Sequence, residues 1–84
     1  MTSNLLEKLT VLLRKEFAGS TPELEPVKGN GRVWGVLYWD AFEGVDQIER
    51  QERLWAVLKA RLTPEEQHDV AAILTMTRRE VSDD

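Results

Sequence analysis

The stretch Trp34–Leu62, WGVLYWDAFEGVDQIERQERLWAVLKARL, does most to limit what this chain can fold into. It begins inside an apolar run, Arg32–Trp39, that is apolar on both faces, as in a central strand covered on at least one side. It then turns at Gly44 and becomes amphipathic with the period of a helix. Asp46 is placed as an N-cap, with Glu49 three residues on to complete a reciprocal cap. Ile48, Gln51, Leu54, Trp55, Leu58 and Leu62 form the expected inward stripe, in which Gln51 is the polar member. Glu49 and Arg53 pair on the opposite, solvated face. The helix stops at Thr63-Pro64, and Thr63 with Pro64 and Glu66 starts a short helix from Pro64 to His68. Val70–Thr77 follows as a further strand. A strand, a crossover helix and a strand make a right-handed parallel unit.

Upstream, residues 4–18 carry Leu5, Leu6, Leu9, Leu12, Leu13 and Phe17 at helical steps, with Asn4 and Glu7 at the start and Gly19 at the end. The stripe lasts about two heptads, too short for a coiled coil. Pro22 and Pro26 restrict the next strand to a short edge segment around Glu23–Lys28. Gly29-Asn30-Gly31 marks a hairpin turn. It is not a phosphate cradle, because neither the strand–loop–helix order nor a closing Lys-Ser/Thr pair follows it. The order predicts one α+β domain over residues 1–84: helix, strand, strand, helix, short helix, strand. The sheet is three-stranded and mixed, with the first strand antiparallel on an edge, the other two parallel neighbours, and the helices on one face. Residues 78–84 are expected to be a frayed polar tail.

With 84 residues, 42% apolar and 31% charged, the chain has room for one small core. A domain of this size is expected as a monomer or weak dimer. There is no Cys, which excludes disulfides, thiolate metal sites and a cysteine nucleophile within this chain. No apolar run approaches a membrane span, and charged residues interrupt the N-terminal leucines, so the expectation is a cytoplasmic protein with no membrane partner. The net charge of −4, with Lys and Arg interspersed among Glu and Asp, counts against a nucleic-acid binder. Trp34 and Trp39 lie five apart in a strand and so point to opposite faces; at most one is a platform for base stacking. No nucleophile–base pair or metal-ligand cluster is visible, and Glu65-Glu66 and Asp83-Asp84 read as cap and tail charges. The chain is not expected to be an enzyme.

Four features occur in a recognisable order: Ala41-Phe42-Glu43-Gly44 after an apolar strand, Ile48-Glu49-Arg50-Gln51 in a helix, a Leu/Trp/Leu set, and His68 before a strand ending Thr75-Met76-Thr77. Together they resemble the BolA-like family, whose fold is similar to that of class II KH domains. The resemblance implies a non-enzymatic adaptor that binds a monothiol glutaredoxin in iron–sulfur or redox homeostasis. It implies no intrinsic cofactor, but a [2Fe–2S] cluster shared with that partner, for which His68 is the candidate ligand on this side. Phe42, Glu43, Gly44, Arg50, Gln51 and Asn30 of the hairpin are the implied partner contacts, expected together at one end of the sheet. The chain departs from the family pattern in places. The loop Lys28–Arg32 has no Cys or His, and Gln51 stands where the family has a His. Counted from Thr77, Asp69 rather than His68 falls in register, so either residue can face the shared site. The Gly-x-x-Gly loop of KH domains is absent, since Val45-Asp46-Gln47 follows Gly44. Two further readings stay open. One is a nucleic-acid-binding transcriptional regulator on a KH-like fold, which a positive patch around Arg32, Arg50 and Arg53 would favour. The other is a divergent member that has lost cluster binding and serves another protein.

Overall fold

A computed structural model describes residues 3–29 and 31–82 of the chain. Asn30, singled out above as a contact in the hairpin loop, lies outside the described residues. Helix α1 (Ser3–Glu16) leads into strand β1 (Thr21–Pro26), strand β2 (Val33–Tyr38), a single 3-10 turn (Asp40–Phe42), helix α2 (Gln47–Arg61), short helix α3 (Pro64–His68), strand β3 (Val70–Met76) and short helix α4 (Arg78–Ser82). The sheet order is β1-β2-β3, with β1 antiparallel to β2 and β2 parallel to β3, as the crossover rule requires.

Helix α1 begins one residue ahead of the expected Asn4 start and buries Leu9, Leu13 and Phe17 completely or nearly so. Leu5, Leu6 and Leu12 pack at the margin of the same core. Strand β1 lies two residues earlier than Glu23–Lys28 and contains both prolines. The reason is in the ladder. Val27 N donates to Arg32 O at 2.7 Å, and inward N–H groups alternate in an antiparallel pair. Glu25, Glu23 and Thr21 therefore face β2, while positions 22, 24 and 26 point their nitrogens at the free edge. Pro22 and Pro26 stand where no donor is needed.

In β2, Val33, Gly35 and Leu37 face the helices, and Trp34, Val36 and Tyr38 face the other way. A Cβ on Gly35 would sit 2.8 Å from Leu24 Cα and against the carbonyl oxygen of Glu23, so glycine is what lets β1 cross so closely. The sheet's irregularity lies elsewhere. The parallel register jumps from Val33↔Val70 to Trp34↔Ala72, which leaves Ala71 as an extra residue in β3.

Helix α2 departs from its expected stripe. Leu54, Leu58 and Leu62 are buried, but Ile48 is 74% exposed. The inward position at the start of the helix belongs to Arg50, 4% exposed and about 200° around the helix from Ile48. A stripe read from apolar residues alone is rotated by such a substitution. Asp46 Oδ1 accepts from Glu49 N at 2.8 Å as expected of an N-cap; Glu49 does not complete a box, its carboxylate being taken by Arg53 at 2.6 Å.

The polar tail is a second correction. Residues 78–82 form α4, because Thr77 and Glu80 cap it reciprocally: Glu80 N donates to Thr77 Oγ1 at 3.1 Å and Thr77 N to Glu80 Oε1 at 2.9 Å. None of the helices in the described residues is long and apolar enough to cross a membrane.

Candidate functional site

The residues singled out from the sequence divide between the two ends of the sheet. Strands β2 and β3 are parallel and start together, with Val33 opposite Val70. The hairpin before β2 and His68 before β3 therefore meet at one end. The Phe42-Glu43-Gly44 turn follows Tyr38, which pairs with Met76, and so stands at the other end, a strand length of roughly 17–20 Å away. The expected single docking end is thus two ends with different chemistry.

At the far end the polar groups are internal. Trp39 leaves β2 and stacks edge-on against Phe17 and Phe42, with ring centroids 5.1 Å apart in both pairs. Its indole N–H donates to Ala18 O at 2.9 Å, which ties the end of α1 to the exit of β2. Phe42 is fully buried, and Gly44, at φ +80°, supplies the left-handed residue that turns the chain into α2. The guanidinium of Arg50 lies 5.5 Å from the Phe42 ring centroid. It donates to Val45 O (2.7 Å) and Thr75 O (3.2 Å), and both of its terminal nitrogens bond the two carboxylate oxygens of Glu80 at 2.9 Å. These bonds, first from Arg50 and then from the Thr77 N–H, hold the Glu80 carboxyl down at about 2. Glu80 in turn raises the Arg50 pKa against the desolvation that would lower it. Phe42 and Arg50 do not reach the surface, so as partner contacts they are corrected to internal supports. Glu43 and Gly44 are exposed.

Gln51 also has a structural task. In β3 the carbonyls of Ile73 and Thr75 point away from β2. Gln51 Nε2 donates to Ile73 O at 2.9 Å, and Gln47 Nε2 and Arg50 donate to Thr75 O. Thr75 Oγ1 donates back to Gln47 Oε1 at 2.9 Å. Side chains of α2 thus occupy the free edge of β3 and block further strand pairing there. Gln47 carried no signal in the sequence beyond its place in the first turn. The Arg50–Glu80 pair was legible only in half, through the Thr77-x-x-Glu80 box.

At the near end the groups are exposed. Val33 N donates to Asp69 O at 2.8 Å, and Asp69 N is bonded to the carbonyls of Glu65 and Glu66. This fastens Asp69, half-buried, and leaves the exposed His68 ring outside. Arg32 Nη2 lies 3.3 Å from His68 Nε2. Arginine only donates, so in a hydrogen bond between them Nε2 is the acceptor. The loop is built by the Thr63–Glu66 box, in which Glu66 also receives Lys8 Nζ at 2.9 Å; that bond, and then the Thr63 N–H, lowers the Glu66 pKa.

Among the described residues no three His, Cys, Asp or Glu side chains converge as a metal site. His68 offers one imidazole donor, which fits a shared cluster only where a partner brings the remaining ligands. The cationic patch that would favour a nucleic-acid binder does not assemble: Arg50 is buried on Glu80, Arg53 is paired with Glu49, and Arg32 is at the other end beside His68. Comparison with known protein families, with curated proteins and with solved structures returns no match.

Proposed function

We propose that this protein is a non-catalytic adaptor that docks a partner through the end of the sheet formed by the hairpin, Arg32 and His68. The observation that carries the reading is the exposed imidazole of His68, at the end of the capped helix α3 and contacted by Arg32. The helix–strand–strand–helix–helix–strand order is the one the BolA-like resemblance implies, and it supports a monothiol glutaredoxin as the partner. In that complex His68 would be this chain's ligand to a shared [2Fe–2S] cluster, with the other ligands supplied by the partner. For Nε2 to bind iron, Arg32 must swing away, since one lone pair cannot serve both. Asp69, which the register count favoured, is half-buried and so less accessible than the exposed His68.

The test mixes the full chain with a cluster-loaded monothiol glutaredoxin and follows size-exclusion elution together with the visible cluster spectrum. A heterodimer with a changed spectrum is expected, with the spectral change lost in His68→Ala. A heterodimer whose spectrum is unchanged by either protein would leave docking without ligation. Absence of any complex would overturn the reading.

A further inference from the structure

The sheet has one face under helices α1 and α2 and another that is largely bare. On the bare face the registers place side chains in rows: Glu25–Trp34–Ala72, then Glu23–Val36–Leu74, then Thr21–Tyr38–Met76. Helix α4 lies over the third row, where Arg78 donates to Thr21 Oγ1 at 2.7 Å, and Arg78 and Val81 share a hollow with Thr21, Tyr38 and Glu23 of the second row. The apolar side chains of the first two rows lie outside that hollow. Trp34 and Leu74 are 39% and 51% exposed, two of the five exposed large apolar side chains among the described residues. The three strands contain no Lys or Arg at all, and their only charged residues are Glu23 and Glu25. Neither carboxylate has an ion-pair partner among the described residues.

Three kinds of occupant can be compared. An added strand has no edge to use, because Pro22 and Pro26 stand on the outer side of β1 and α2 side chains hold the carbonyls of β3. A second copy brings no strand cation to answer Glu23 and Glu25, its Arg78 is already engaged with its own Thr21 and Asp40, and each copy carries a net charge of −4. A helix fits: two strands about 4.8 Å apart offer a bed about as wide as one helix of about 10 Å diameter. The acidic rail along one side then asks for basic residues on the matching flank of that helix.

We infer that the uncovered sheet face, Trp34, Val36, Ala72 and Leu74 beside Glu23 and Glu25, is a docking site for an amphipathic helix of another protein that is basic along one flank. This does not rest on the reading of His68, and the face is distinct from the His68 loop.

The test uses the full chain and a synthetic Leu/Lys peptide of about 18 residues, five helical turns, with a Leu/Glu peptide of the same pattern as the control. Binding is followed by amide chemical-shift changes. Saturable shifts at Trp34, Val36, Ala72 and Leu74 with the Leu/Lys peptide only are expected. The double variant Glu23→Lys/Glu25→Lys alters two exposed side chains and should reverse the preference toward the Leu/Glu peptide. Leu74→Ser should weaken binding about tenfold while leaving the thermal transition in place. Shifts centred on Ile48 and Trp55 of α2, equal binding of both peptides, or no reversal in the double variant would overturn the inference. So would sedimentation showing that the chain dimerises through this face and excludes the peptide. Glutaredoxin binding in the Glu23→Lys/Glu25→Lys variant should be unchanged, which separates failure here from failure of the His68 reading.

Discussion

The chain uses one four-residue motif twice. Thr63-Pro64-Glu65-Glu66 starts α3 and Thr77-Arg78-Arg79-Glu80 starts α4, and the reciprocal bonds have the same lengths in both, 3.1 and 2.9 Å. In each box the glutamate also takes a cation from a distant helix, Lys8 for Glu66 and Arg50 for Glu80. The difference is where the cation sits. The Lys8 side chain is 45% exposed, so water can replace Glu66 as its partner. The Arg50 side chain is 5% exposed and packs on Phe42, so losing Glu80 leaves a buried charge without its counterion. Equal local motifs therefore carry unequal weight: one shapes a surface loop, and the other closes the end of the core.

The largest effect is expected at Arg50. Arg50→Ala should cost about 2–5 kcal/mol in urea unfolding, because it empties a buried position against Phe42 and strands the carbonyl of Val45, whereas Thr75 O keeps its bond from Gln47. Glu80→Ala should destabilise in the same direction and free the amides of Arg78–Ser82 to exchange. If Lys8→Ala proves as damaging as either, the distinction between the two boxes is wrong.

Acid provides the next contrast. The Glu80 carboxyl is depressed from 4.5 to about 2. A depressed carboxylate binds fewer protons in the folded state, so its stabilisation is complete above the unfolded value and is lost as pH falls. Between pH 4.5 and about 2 the thermal midpoint should drop, and Glu80→Gln should flatten that part of the profile. Glu66→Gln should alter it less; an equal effect would put the acid sensitivity in the surface loop.

The caps themselves should differ modestly. Thr63→Ala and Thr77→Ala each remove an N-cap, at about 1 kcal/mol. Thr77→Ala should exceed Thr63→Ala, since Thr77 is fully buried and its methyl also leaves a void. Thermal melts of the two variants side by side decide the order. The smallest effect is expected at Ile48, where Ile48→Ser should stay within about 0.5 kcal/mol. Leu54→Ala, on the true inward line of α2, should cost about 2–5 kcal/mol.

Element order, sheet topology and the helix caps at Asp46 and Thr63 were all legible in the residues, because periodicity, turn chemistry and capping act over a few positions. The α4 box was legible by the same rule that identified α3, yet Thr77 also ended an apolar strand and the residues after it read as a tail. The candidate site was legible in part. His68 was picked out as the single imidazole, but its neighbour Arg32 lies 36 positions away and is brought to it only by the parallel pairing of β2 and β3.

What the sequence determined by itself was therefore the set of elements and the way they connect. Tertiary structure alone decided which polar residues are supports and which are available. An arginine in a helix counts as surface in any local pattern. Arg50 is interior because Glu80, 30 residues later, is returned to it by the crossover and by the helix that Thr77 caps. Burial of a charge depends on a partner that no local spacing specifies, and the same long-range pairing places the Phe42 turn and His68 at opposite ends of the sheet.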